Sequence, residues 1–195
     1  TLHQFDGHGN SVVEELTIKD GYGAIQQSVL TTRTFDKNGS TWSMQQGRLK
    51  RLQVTSTNEH GSISRVSEFD YYSSGSDIGL LKTETIEPDN SEYKVATTHA
   101  YSNGNLVLST MVADGQTRVK DIRYDSIGRY INETYELFSN GASPDSGISR
   151  RTYSVVSRDR YGMPSEERFY TGASTYTTKL TGTTVFGTVY FNSDS

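Results

Sequence analysis

The chain has 195 residues, 19 Lys+Arg against 23 Asp+Glu for a net charge of -4, a hydrophobic fraction of 32% and no cysteine. That mild acidity argues against a nucleic-acid partner, whose binding surfaces are basic. The missing cysteines exclude a disulfide framework, a thiol nucleophile and a thiolate metal site. No apolar run approaches the ~20 residues of a membrane helix, so no membrane span is expected. The opening TLHQFDGHGN carries neither a signal-peptide pattern nor an initiator Met, which predicts a processed product or an excised piece of a longer polypeptide. With 13 Tyr and 7 Phe the chain is too aromatic for disorder, and too poor in aliphatics for a thick core. A thin sheet held by amphipathic rings fits both facts.

In chain order, one short pattern recurs. Phe5-Asp6 precedes Gly9, Phe35-Asp36 precedes Gly39, and Tyr124-Asp125 precedes Gly128, each glycine following its aromatic at the same offset. Weaker copies place Tyr71 before Gly75, Tyr101-Ser102 before Gly104, and Arg158-Asp159 before Gly162. Successive copies lie about 30 residues apart, within the range of repeat architectures. The pattern suits a hairpin. Asp accepts backbone amides and starts a turn, Gly supplies positive φ, and the aromatic packs across to a neighbouring strand. Between the copies, SVVEELTI, RLQVTST, SISRVSEF, LVLSTMV, TRVKDIRY, INETYELF and TTVFGTVYF have strand composition. Pro88, Pro144 and Pro164 sit in turn-like contexts. No long segment shows helical periodicity. The pattern predicts an all-β fold of antiparallel β-hairpin repeats in a curved extended sheet. Repeats span 1–170, and 171–195 is a Thr- and Gly-rich terminal β-segment of unassigned register.

These doublets resemble the YD repeats of the RHS family. RYDSIGRYINETYE is the fullest copy, with Arg129 after Gly128. The stretch from Phe35 adds Trp42, Gly47, Arg48 and Leu49 before a Val/Thr strand, and GLLKTETIEPDNSEYKVATTHAYSNGN follows. Both are similar to the RHS-repeat region of SpvB and Tc-toxin B-component-type bacterial proteins. The resemblance implies a strip of a secreted or cell-surface bacterial shell that encloses or displays a toxin polypeptide. Its partners would be the remainder of that shell and the enclosed chain. Its aspartates and glycines would set hairpin geometry, with no cofactor and no catalytic residue.

Enzyme motifs fail on inspection. GYGAIQ places Gln26 where a dinucleotide loop needs its third glycine. His3 and His8 could flank Asp6 around a metal, but the surroundings read as a turn. FDKNGS lacks the glycine and glutamate positions of a calcium loop. PDSGIS holds a single Asp-Ser-Gly, where aspartic-protease chemistry needs two. The adjacent pairs Glu14-Glu15 and Glu166-Glu167 would point to opposite sides of a strand. The tyrosines Tyr71, Tyr72, Tyr124, Tyr130, Tyr135 and Tyr153 leave an alternative open, a surface adhesion or glycan-binding β-module that stacks sugars on exposed rings.

Overall fold

A computed structural model describes residues 1–36, 47–140, 148–172, 174–184 and 187–194. All regular structure among them is β-strand, and the strands pair antiparallel with their neighbours. The chain divides into two compact units, Thr1–Thr98 and His99–Ser195. In the first, β1 (Leu2–Phe5), β2 (Ser11–Lys19), β3 (Ile25–Phe35), β4 (Leu49–Asn58), β5 (Gly61–Tyr71), β6 (Leu81–Ile86) and the start of β7 (Val95–Ser102) are bonded in chain order. In the second, β8 (Asn105–Ala113), β9 (Gln116–Tyr124), β10 (Ile131–Asn140), β11 (Ile148–Arg158), β12 (Pro164–Tyr170), β13 (Tyr176–Thr184) and β14 (Gly187–Asp194) follow in the same way. Each unit is a meander, and its hairpins form an extended antiparallel sheet, as the sequence predicts.

The predicted strand segments fall inside β2, β4, β5, β8, β9 and β10. TTVFGTVYF does not form one strand: it covers the end of β13 and the body of β14. Pro164 opens β12 instead of sitting in the turn before it, a place where its missing amide removes no interior ladder bond. Registers are continuous except at bulges, several of them next to turns, as at Gln4/Phe5, Thr34/Phe35 and Asp70/Tyr71, and one inside the β10–β11 pair at Thr134/Tyr135.

Five of the six lead residues share one place in this scheme, and Tyr101 stands one residue before the end of β7. Phe5, Phe35 and Tyr71 end β1, β3 and β5, while Tyr124 and Arg158 end β9 and β11. One repeat is therefore two strands, and the repeat turns of each unit all lie at the same end of its strands. That follows from a meander, in which alternate turns must share an end.

The sheets have no conventional core. Ile122, at 7% exposure, is the single apolar residue that counts as buried among the described residues. The only buried polar residues there are Thr134 and Ser154. Leu16, Ile18, Ile63, Val112 and Phe169 all stay exposed. With both sheet faces half-wetted, local turn geometry matters more than in a layered domain.

Gly128 illustrates this. Its φ is 75°, and an added Cβ would lie 3.1 Å from Asn105 Nδ2. Gly9 has the same backbone conformation, φ 85°, with no described atom within 4 Å of such a Cβ. Gly128→Val is expected to destabilise the protein by about 1–2 kcal/mol through left-handed strain, and to cost more than Gly9→Val because of the added clash. Urea unfolding of both variants tests this. Equal midpoints would remove the contribution assigned to the Asn105 contact.

Candidate functional site

Three repeat turns and the β2–β3 turn, at the other end of the strands, are built alike. Asp6 Oδ1 accepts the His8 and Asn10 amides at 2.9 Å each, Asp20 Oδ1 accepts those of Tyr22 and Ala24 at 2.9 Å, and Asp159 Oδ1 accepts those of Tyr161 and Met163 at 2.9 Å. Asp125 Oδ1 takes the Arg129 and Tyr130 amides at 2.7 and 3.4 Å, its turn being one residue longer. In each, the closing glycine donates its amide back to the aspartate carbonyl, at 2.9–3.1 Å for Gly9, Gly23, Gly128 and Gly162. The turn at Asp20 escaped the sequence pattern because Lys19, not an aromatic, precedes it. Asp-x-x-Gly without its lead would have found it.

Two copies close on a different glycine from the one the spacing suggests. Asp36 donates its amide to the Arg48 carbonyl, so Gly47, at φ 88°, takes the place that Gly9 holds before Asn10. Gly39 and Trp42 lie outside the described residues, as do parts of FDKNGS and PDSGIS. In the β5–β6 connection, Tyr72 donates to Leu80 O and accepts from Gly79. Gly79, not Gly75, is therefore the closing glycine. Gly75 has φ 84° within the inserted part of that loop. The offset from aromatic to glycine varies with loop length, while the closing hydrogen bonds persist. Gly104 sits differently again, in a two-residue turn with Asn103 in which both residues have positive φ.

The lead position also has a defined contact. Tyr71 Oη donates to Leu49 O at 3.0 Å, and Tyr124 Oη to Leu106 O at 3.2 Å. Arg158, at the equivalent place, donates from a guanidinium nitrogen to Ile131 O at 3.2 Å. In each case the acceptor lies at the start of the preceding even-numbered strand, first in β4 and β10 and second in β8. Arg replaces Tyr here because both carry a terminal donor on a long, flat side chain. Phe5 and Phe35 lack that donor.

A second contact joins one turn to the next. The residue after a closing glycine reaches the closing glycine of the following repeat turn. Asn10 Oδ1 lies 3.5 Å from where a Gly47 Cβ would stand, and a Cβ on Gly79 would overlap the Arg48 guanidinium. Asn105 Nδ2 donates to Gly128 O at 2.6 Å. Arg129 lies 3.9 Å from a would-be Gly162 Cβ. Gly79 and Gly128 thus give both positive φ and room, whereas no described atom lies within 4 Å of a Cβ placed on Gly9 or Gly104.

Between turns, guanidinium groups cap the tyrosine rings. Arg48 lies over Tyr71 at 5.2 Å, Arg123 over Tyr135 at 4.4 Å, Arg168 over Tyr176 at 4.6 Å, and both Arg129 and Arg158 over Tyr130 at 5.5 and 5.3 Å. Arg151 lies over Tyr135 and Tyr170 and pairs with Glu133 at 3.0 Å. Tyr153 packs on Phe169 and donates to Glu167 at 2.7 Å.

The carboxylate pairs singled out in the sequence carry ion pairs: Glu14 with Arg33, Glu166 with Arg168, and Glu167 with Lys179. No group of three or more His, Cys, Asp or Glu suited to a metal occurs among the described residues. His3 stacks on Phe5, and Asp6 is engaged by its turn. A concavity of about 570 Å³ opens beside the β9–β10 turn, lined in part by Asn103, Asn105, Ile122, Tyr124 and Asp125. No known family matches the chain, and no curated protein matches it.

Several acidities shift. Hydrogen bonds from Asn10 lower that of Asp6, and the Ala24 and Tyr22 amides lower that of Asp20. For Asp125, desolvation pulls upward but is outweighed by the Arg129 and Tyr130 amides and nearby guanidinium charge. Burial raises the Tyr153 phenol, helped by Glu167, whereas hydrogen bonds from Ser154 and then Arg151 lower that of Tyr170.

Three outcomes follow. Tyr124→Phe is expected to cost about 1 kcal/mol in urea unfolding, since it removes one hydrogen bond and little volume. An unchanged midpoint would deny the lead position its clasp. Because the turn aspartates titrate below their unfolded value near 3.9, their stabilisation is complete above that value and is lost as pH falls through the lower folded value. Thermal unfolding followed from pH 6 to about pH 2 should show this fall, and the triple variant Asp6→Asn, Asp20→Asn, Asp125→Asn should flatten it. In an alkaline titration read by tyrosinate absorbance, Tyr170→Phe should remove an early component, below the usual value near 10, and Tyr153→Phe a late one.

Proposed function

We propose that the chain is a non-catalytic strip of an RHS-type bacterial shell, part of a larger secreted or cell-surface protein that encloses or displays a toxin polypeptide. The observation that carries this reading is the state of the tyrosine rings. The wall reading asks for rings engaged between neighbouring hairpins. The sugar-binding alternative asks for open ring faces. Tyr71, Tyr130 and Tyr135 are half-buried with guanidinium groups over them, and the Tyr71 and Tyr124 hydroxyls clasp the preceding strand. A sheet without a core but with interlocked turns suits a wall, which must span area and not fill volume. Its mechanism is exclusion. Backbone ladders and capped rings close a surface through which an enclosed polypeptide cannot pass.

Tyr22 and Tyr93 are exposed in connections between strands, and Tyr22 is 100% accessible. They are the places where the adhesion or glycan-binding alternative would show itself. The test uses the longest natural polypeptide that contains this chain. Limited proteolysis compares the sequence outside the repeats in that protein with the same sequence expressed alone. Protection in the intact protein that is lost on mild unfolding is the expected result. Equal digestion in both settings, or polysaccharide binding that Tyr22→Ala abolishes, would overturn the wall reading.

A further inference from the structure

One lead tyrosine has no guanidinium over its ring. Arg48, directly after Gly47, lies over the Tyr71 ring at 5.2 Å. Asn105, directly after Gly104, holds the equivalent place before Tyr124 and reaches the glycine that closes the next turn, as Arg48 does. Asparagine is too short to cover a ring, and no guanidinium caps Tyr124 among the described residues. The β7–β8 turn is also short, Asn103 and Gly104 alone, beside the longer β9–β10 turn over residues 125–130. A small side chain and a short turn together leave open the concavity of about 570 Å³ that Tyr124 lines. That volume falls within the about 300–1,000 Å³ of small-molecule sites.

We propose that this concavity is a binding site for a neutral saccharide, one ring of which packs on Tyr124. The apolar part of the lining comes from Tyr124, from Ile122 beneath and from the exposed Ile127. Such a surface suits the C–H face of a sugar ring, which an aromatic covers well. Around it stand hydrogen-bonding groups of both kinds. The side chains of Ser102, Asn103 and Ser126 make no hydrogen bond among the described residues. Asn105 donates from Nδ2 to Gly128 O, which leaves its Oδ1 to accept. Asp125 engages the Arg129 and Tyr130 amides through Oδ1, which leaves its Oδ2. A sugar hydroxyl donates and accepts at once, so a mixed set of hydroxyls, amides and a carboxylate matches it. Charge sets the class. Arg123 is the one cation in the lining and pairs with Asp121 at 3.1 Å, so no lining cation is spare for a phosphate, sulfate or carboxylate. The site uses neither Tyr22 nor Tyr93, and a wall can carry it, so this inference does not rest on the wall reading.

The test probes an array of neutral and acidic saccharides with the labelled full chain. The expected result is retention on neutral saccharides, weakened about tenfold or more by Asn103→Gly and by Asn105→Arg. Asn103 has φ 51° in a turn that glycine fits equally well, so Asn103→Gly removes the amide and keeps the turn. Asn105→Arg supplies the guanidinium that stands over Tyr71 in the equivalent repeat. Urea unfolding shows that each variant is folded, and Asn103→Gly decides the matter if Asn105→Arg is not. Tyr22→Ala is expected to leave retention unchanged. No retention on any neutral saccharide, stronger retention on acidic ones, or retention that Asn103→Gly leaves intact would overturn the site. Retention abolished by Tyr22→Ala would also overturn it, in favour of the adhesion alternative. None of these readouts involves protection of a cargo from protease, so this inference and the wall reading fail separately.

Discussion

A β-sheet wetted on both faces has no core to set its register, so its turns must do so. In layered proteins a one-residue slip is penalised because it drives every apolar side chain to the wrong face. Here that penalty is weak, with Ile122 alone among described apolar residues reaching burial. The Asp-x-x-Gly turn supplies the missing constraint. Its carboxylate holds two amides, its glycine closes back on the aspartate carbonyl, and the two flanking strands leave with a defined offset.

Each turn is then referred to its neighbour. A tyrosine or arginine at the end of one strand clasps a carbonyl at the start of the strand before it, and an asparagine or arginine after one glycine rests on the next. Individually such contacts are worth about 1 kcal/mol. Repeated hairpin after hairpin, they add in the manner of a one-dimensional array, where stability is a sum over neighbours. The Arg–Tyr contacts serve the same end across the sheet. A guanidinium over a ring keeps its charge near water while it shields apolar area, which suits residues that are neither inside nor outside. This explains why the chain is rich in Tyr and poor in Leu.

A surface made in this way bears on function. It extends by adding hairpins and needs no second layer, which is what an enclosing wall requires. It also engages the rings of Tyr71, Tyr130 and Tyr135 with guanidinium groups, whereas Tyr22 and Tyr93 stay exposed. Glu14, Glu166 and Glu167, which suggested catalytic pairs, are ion-pair partners, and Asp6 anchors a turn.

The sequence by itself determined the fold class, the hairpin as the repeating unit, and the roles of Asp6, Asp125, Asp159, Gly9, Gly128 and Gly162. These are local properties: an aspartate and a glycine three residues apart meet across one turn whatever surrounds them. Only the tertiary structure decided that Gly79, and not Gly75, stands in the closing place, and that Gly47 precedes the carbonyl bonded by Asp36, because an inserted loop changes the spacing without changing the hydrogen bonds that end it. It alone showed that Arg158 is chemically equivalent to a tyrosine, since the equivalence lies in a donor reaching Ile131 from 27 residues away. The same holds for the pairing of Asn105 with Gly128 and of Arg48 with Gly79. Contacts between successive hairpins join residues that the chain separates by a whole repeat, and no local pattern of residue types records which side chain will lie against which glycine.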